Sequence, residues 1–306
     1  MSKFDEFFDY AVERHMIYLK KEKGLPRPWT EDPILDHYKF TNVYRQLDRV
    51  TIWYNENIRS RYLDDPAKLL LATVIFRWFN RVTTGEALFV NMYEDTGRTA
   101  FDLFCGNGDI KTLKKAILAH CGNGPYVTGA YIIKTPQGYT KLDGVLEIIR
   151  RFYVSSRLYQ GSGGDYNYKE MAAYLIENNA KLENVWEWFA EFEYLGEFTA
   201  YELVCDLRYT PLLETAPDKL TWANPGPGAM RGLNRIHGRE LKSRANRERF
   251  IEEMRDILKM ARDGKWPVNL GPEWEMREVE HTLCEFDKYQ RVLHEEGRPR
   301  GIYKSA

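Results

Sequence analysis

Cysteine is scarce in this chain, with four in 306 residues, and Cys105, Cys121, Cys205 and Cys284 stand far apart. There is no CxxC pair and no histidine at zinc spacing, so no metal site is expected. The four read as free thiols of a reducing cytosol. An excess of one charge is missing too. The formal net charge is -1, so bulk charge does not announce a nucleic-acid binder and any basic surface must be local. No apolar run reaches membrane-spanning length. The N-terminal MSKFDEFFDYAVERHMIYLKK lacks the apolar core and cleavage site of a signal peptide. The expectation is a soluble, cytoplasmic protein with no membrane partner. The patterns GxxxxGK[ST], HExxH and GxSxG are absent, which argues against a P-loop kinase, a zincin and an α/β-hydrolase. No internal repeat or low-complexity tract occurs.

What is present is apolar, aromatic and helical. Hydrophobic residues make up 43% of the chain and aromatics 14%, including 20 Tyr and 8 Trp. That is enough for a substantial core, with rings left for interfaces or base stacking. The periodicity predicts an all-α fold: one compact helical domain over residues 1–306, compatible with two lobes, and at most a small β-hairpin near 126–139. Helices are expected over 4–23, 34–62, 67–81, 109–120, 142–156, 168–179, 183–193 and 197–209. Two more are expected over 239–263 and 275–293, which are rich in charge and therefore read as exposed. Thr30 is a candidate N-cap with Pro33 in the following turn. Loops are expected at 160–165 (QGSGGD) and 224–228 (NPGPG).

Five groups of residues can carry chemistry. In the segment 38–54, Phe40, Val43, Tyr44, Leu47, Val50 and Tyr54 form an apolar stripe at helical spacing. Thr41, Asn42, Arg45, Asp48 and Arg49 fall on the opposite side. That polar face can grip a phosphate or a base edge, or it is a solvated face with a salt bridge. In the apolar helix 67–81, Thr73, Arg77 and Asn80 form one polar line. A buried Arg77 needs either a carboxylate such as Asp48 or an anionic ligand. In 194–209, Thr199, Glu202 and Asp206 lie on neighbouring turns. A buried carboxylate there is a general base with a raised pKa, or a core acid paired with an arginine. The loop 224–235 joins Gly226 and Gly228 to Arg231 and Arg235, an anion cradle or a plain turn. Lys288, Arg291, Arg298 and Arg300, interleaved with Tyr289 and followed by Tyr303, form a nucleic-acid surface or a solvated helix face.

The stretch FDLFCGNGDI at 101–110 resembles the glycine-rich loop of cofactor-dependent methyltransferases. The motif needs a buried strand before it and βαβ alternation after it. YEDTGRTA is too polar for that strand, and no alternation follows.

The blocks WTEDPILDHYKFTNVYRQLDR, FRWFNR, YLGEFTAYELVCDLRY, WANPGPGAMRGLNR and HTLCEFDKYQR occur in that order. Together they resemble the alpha-glutamyl/putrescinyl thymine pyrophosphorylase family of bacteriophages, allied to the helical domain of 5-hydroxymethyluracil DNA kinases. The resemblance runs from about residue 5 to about 303. It implies a transferase that replaces the pyrophosphate on a hydroxymethylated uracil in DNA with an amine, from an amino acid or a polyamine such as putrescine. It also implies a likeness to helix-hairpin-helix DNA glycosylases, which flip a base out of the duplex. LGEFTAYELVCD departs from the glycosylase pattern, because Asp206 follows Gly196 too soon and Phe198 replaces the second glycine. Under this resemblance Asp206, then Asp48, are candidate bases, and Arg45, Arg49, Arg77 and Arg231 face the leaving group. Trp29, Phe40, Trp78, Asn42 and Asn80 are candidates to stack on or read the base, beside Thr41 and Glu202. Lys288 and Arg291 hold the DNA backbone or an incoming carboxylate. The partners are modified DNA and a small amine, and Mg²⁺ can arrive with the pyrophosphate. A kinase-type enzyme, a glycosylase and a non-catalytic DNA-binding module are the alternatives.

Overall fold

The computed structural model describes residues 2–155, 167–243 and 246–303, so QGSGGD at 160–165 lies outside the described residues. The fold is all-α. Among the described residues there is no strand, only isolated antiparallel bridges at Tyr38–Ile302 and Met92–Thr99. No described helix is long and apolar enough to cross a membrane. The chain divides into two compact units, one formed by Met1–Asp48 with Asp218–Ala306, the other by Arg49–Pro217.

In chain order the α-helices are α1 (Lys3–Glu22), α2 (Pro33–His37), α3 (Arg49–Tyr54), α4 (Ser60–Tyr62), α5 (Pro66–Phe79), α6 (Val82–Gly85), α7 (Ala100–Asn107) and α8 (Ile110–Cys121). They continue with α9 (Lys141–Val154), α10 (Tyr168–Asn178), α11 (Leu182–Glu191), α12 (Gly196–Leu207), α13 (Pro227–Ile236), α14 (Arg247–Met260) and α15 (Met276–Leu293).

The second unit is built around α5. Its start is fixed by Asp65, whose carboxylate accepts the N–H of Lys68, and by Pro66 at the first helical position. Every residue from Leu69 to Phe79 is buried, as the all-round apolar sequence requires. Helices α9, α10 and α12 pack against it. The methyltransferase-like stretch forms no phosphate loop. It makes helix α7, ended by Gly108 at φ +67, and then Asp109 caps α8. The expected hairpin at 126–139 is absent. That backbone is held singly instead, with Thr128 N–H donating to the Phe79 carbonyl at 2.8 Å and Lys141 Nζ to the Ile133 carbonyl at 2.7 Å.

The first unit is built around α15, which contacts α1, α2, α13 and α14. Here the charge pattern misleads. α15 was expected to be exposed, yet Arg277, Glu278, Glu280, His281, Glu285 and Asp287 are all buried on it. Each finds a polar partner nearby, and this is what allows a charged helix to sit in a core. α14 is shorter than expected. Asn246 caps it at Arg247, and Asn234 Nδ2 holds the carbonyls of Leu241 and Ser243 in a loop before it.

The contact of α13 with α15 requires two glycines. A Cβ at Gly232 would lie 2.5 Å from the Leu283 carbonyl oxygen, and one at Gly228 would lie 2.4 Å from Cys284 Sγ. The loop 224–228 is therefore short, and Pro227 already opens α13 with Gly226 as its N-cap. At the other end of this unit Asp32, not Thr30, caps α2. Its Oδ1 accepts the N–H groups of Ile34 and Leu35 at 2.8 and 2.9 Å, while Thr30 Oγ1 accepts the Asp32 N–H at 3.1 Å.

Candidate functional site

The segment 38–48 does not form the expected helix. α2 stops at His37, the chain runs extended, and a 3₁₀ turn spans Arg45–Leu47. The cause lies in the polar side chains, which bind backbone groups that a helix would need. Asn42 N–H donates to Asp48 Oδ1 at 3.0 Å, and Asn42 Nδ2 donates to the Leu47 carbonyl at 2.8 Å. Arg14 Nη2 donates to the Phe40 carbonyl at 2.7 Å and to Asn42 Oδ1 at 2.8 Å. The apolar stripe still anchors the segment, since Phe40, Val43 and Tyr44 are buried. Tyr44 O–H donates to the Pro272 carbonyl at 2.6 Å.

This loop brings a set of ionisable groups together within the first unit. Arg45 Nη1 lies 3.2 Å from His281 Nε2, and its Nε lies 4.0 Å from Asp48 Oδ2. Thr41 N–H donates to Glu285 Oε2 at 3.0 Å, and Glu285 also pairs with Lys288. His281 Nε2 lies 3.7 Å from Glu280 Oε2. Burial pushes the Asp48 carboxyl up to about 6, against the pull of Arg45, the Asn42 N–H and Arg14. Its side chain keeps 23% exposure, so it still meets solvent. Burial works against the Lys288 ammonium, but Glu285 outweighs that and raises its pKa.

Of the sequence candidates, Thr41, Asn42, Arg45, Asp48 and Lys288 therefore converge. Arg49, next along the chain, is exposed and opens the other unit. Arg14, His281 and Glu285 belong to the same cluster and were not singled out from sequence. Arg14 had a readable signal, because it is a charged residue inside the apolar stripe of α1 formed by Phe7, Tyr10, Ala11 and Ile17.

Further along α15, Asp287 gathers three arginines. Arg231 Nε donates to its Oδ2 at 2.9 Å, Arg235 Nε to its Oδ1 at 3.0 Å, and Arg291 Nε lies 3.3 Å from Oδ2. Arg235 also pairs with Glu296. The glycine loop is not an open anion cradle, since Gly226 N–H donates to Glu280 Oε1 at 3.3 Å while Gly228 and Gly232 serve helix contact. Arg231 and Arg291 keep about a third of their side chains exposed, 35% and 33%.

In the second unit the two polar lines read from sequence meet each other. Arg77 Nε donates to Asp206 Oδ2 at 2.8 Å and Arg77 Nη1 to Glu202 Oε2 at 3.1 Å. The partners of Arg77 are thus these acids, not Asp48, because α12 is packed on α5. Tyr131 O–H donates to the Arg77 carbonyl at 3.2 Å. Thr73 Oγ1 donates to the Leu69 carbonyl at 2.7 Å. Asn80 ends α5 in the left-handed conformation at φ 43. Trp78 and Phe40 are core residues, 1% and 5% exposed, so neither offers a face to a base.

Trp29 is half-buried beside Tyr303, with ring centroids 5.5 Å apart. Lys21 and Arg27 lie over both rings at 5.3–5.6 Å. Among the described residues no group of three or more His, Cys, Asp or Glu is arranged to hold a metal ion.

Comparison with known proteins was made against this geometry. The family described as "5-hmdU DNA kinase, helical domain" matches residues 1–298. A curated relative, the 5-hmdU DNA kinase of Bacillus phage SP10, is 28% identical over 254 residues, which is 76% of this chain and 36% of the relative. The chain thus spans about a third of that relative's length. No solved structure matches it.

Proposed function

This chain belongs to the helical-domain family of 5-hmdU DNA kinases, and from that premise we propose that it acts in bacteriophage thymine hypermodification. It is a transferase that replaces the pyrophosphate of 5-(pyrophosphoryloxymethyl)uracil in DNA with an amine. The C–O bond to pyrophosphate breaks with its electron pair leaving on oxygen, a C–N bond forms, and the amine gives up one proton.

The observation that carries this reading is Asp48. A carboxyl held at about 6 beside solvent is matched to accepting that proton near neutral pH. Asp206 is buried and already bonded to Arg77, so the base role is assigned to Asp48. Arg45, within 4.0 Å of Asp48, and Lys288 supply positive charge for the departing pyrophosphate. The exposed Thr41 presents a polar edge to the base, while Asn42, whose amide is spent on Arg14 and the Leu47 carbonyl, holds the loop in place. Arg231 and Arg291 face the DNA backbone.

The name of the phage relative favours a second reading, a 5-hydroxymethyluracil DNA kinase-type activity. The chain contains no GxxxxGK[ST] sequence, so a kinase reading needs nucleotide binding of another kind. Mass spectrometry of nucleosides separates the two. DNA carrying pyrophosphorylated hydroxymethyluracil, incubated with the protein and a pool of amino acids and polyamines, yields a thymidine adduct with pyrophosphate released if the transferase reading holds. Phosphorylated hydroxymethyluridine formed from ATP and unmodified hydroxymethyluracil DNA would favour the kinase. DNA binding without either product would favour an accessory module.

A further inference from the structure

Arg14 is 5% exposed and makes no ion pair. Of its three guanidinium nitrogens only Nη2 is used, donating to two neutral acceptors, the Phe40 carbonyl and Asn42 Oδ1. Nε and Nη1 are buried with no hydrogen-bond partner. One turn earlier on the same face of α1, the Tyr10 hydroxyl is also buried and unpartnered. A buried guanidinium with two idle donors and no bonded counter-ion is costly for a protein to maintain unless an anion completes it.

We propose that Arg14 and Tyr10 form an oxyanion-binding element, which seats an anionic group of the substrate, a phosphate or a carboxylate, next to Asp48. Asn42 ties the two halves together, since it accepts from Arg14 and its N–H donates to Asp48. The surroundings fit an incoming anion. Arg14 adds to the positive field at Lys21, where burial first, then Arg14 and Lys39, lower the ammonium's pKa. The idle Nε and Nη1 donors of Arg14 lie on different edges of the guanidinium, so an oxyanion meets one of them with the charge of the whole group, and the phenol adds a second donor. The acid whose charge acts on Tyr10 is Glu285, already engaged by Lys288 and the Thr41 N–H.

The identity of the anion rests on the transferase reading. The leaving pyrophosphate and the carboxylate of an amino-acid nucleophile share this chemistry. Isothermal titration of the full chain with inorganic pyrophosphate and, separately, with glutamate distinguishes them. One of the two is expected to bind saturably. Arg14→Lys, which keeps the charge but loses the fixed N–H donors of the guanidinium, is expected to weaken that ligand about tenfold or more, and Tyr10→Phe several-fold. Arg150→Gln, at an exposed position of α9 in the other unit, is expected to leave it unchanged. Circular dichroism checks the fold of each variant. If Arg14→Lys does not fold, Tyr10→Phe, which deletes a single oxygen, decides. No binding of either anion by the wild-type chain overturns the proposal, as does binding that folded variants leave intact. If anion binding depends on Arg14 but no amine is transferred to pyrophosphorylated DNA, the transferase reading fails and this site stands. If transfer occurs and Arg14→Lys changes neither binding nor turnover, the reverse holds.

Discussion

Arg77 Nε donates to Asp206 Oδ2 at 2.8 Å across 129 residues of sequence, joining the two most buried helices of the second unit. The pair is a brace, and its removal tests that. Arg77→Met removes the guanidinium that Glu202 and Asp206 share in a buried setting and is expected to cost about 3–5 kcal/mol. Urea unfolding followed by far-UV circular dichroism measures it. A cost below about 1 kcal/mol would mean that the brace is unimportant. Asp206→Asn is expected to lose turnover only in proportion to the folded fraction. Normal stability with abolished turnover would return the base role to Asp206.

Asp48 couples stability to pH. Folding raises its pKa from the ordinary 3.8 to about 6. The native state therefore holds more protons than the unfolded state in that window, and this group's contribution falls as pH rises through it. Asp48→Asn keeps an acceptor for the Asn42 N–H and removes a charge that burial disfavours. The variant is expected to be more stable than wild type above pH 6, by about 1–3 kcal/mol, and to lose turnover. Thermal unfolding at pH 4 and pH 7.5 checks the sign, and equal shifts at both would refute it.

The same carboxyl shapes the rate. Turnover is expected to rise with pH along a limb centred near 6 and to level off above it. Arg45→Gln removes the cation that holds Asp48 down, so the limb should move to higher pH. A limb that stays fixed in Arg45→Gln would assign the titration to another group.

Asp287 is completely buried beneath Arg231, Arg235 and Arg291. Arg231→Gln and Arg291→Gln are each expected to weaken DNA binding and to reduce the slope of log affinity against log salt by about one. An unchanged slope in both variants would remove these residues from the DNA surface. Asp287→Asn leaves three guanidinium groups facing each other and is expected to destabilise the unit by about 3–5 kcal/mol.

Close helix contact gives a further test. Gly232→Ala places a methyl 2.5 Å from the Leu283 carbonyl oxygen, where backbone must move. A loss of about 1–3 kcal/mol is expected. Differential scanning calorimetry reads it, and an unaltered melting temperature would show that α13 shifts freely on α15.

The sequence announced some elements and hid others for identifiable reasons. α5 was legible because Asp65 and Pro66 mark its start and its apolar residues run without a break. The segment 38–48 was half legible. Phe40, Val43 and Tyr44 are buried as the stripe implied, but periodicity does not register that Asn42 and Asp48 bind backbone. α15 was misjudged as exposed because its partners Arg45, Arg231 and Arg235 lie far away in sequence, and burial of charge depends on partners. Thr41, Asn42, Arg45 and Asp48 lie together, on a loop and not on one helix face. Arg14 stands out in the sequence as a charge inside the apolar stripe of α1, but its role does not, because Phe40 and Asn42, which it binds, lie 26 and 28 residues away.

The first unit is made from the two ends of the chain, with the second unit's sequence between them. Its helix α1 packs on α15, which emerges after the whole second unit. During translation α1 must wait, its apolar stripe uncovered, while the whole of the intervening unit emerges and can close its own core. The cluster around Asp48 therefore assembles only after α15 has emerged. Truncated or stalled chains would carry a finished second unit and no Asp48 site.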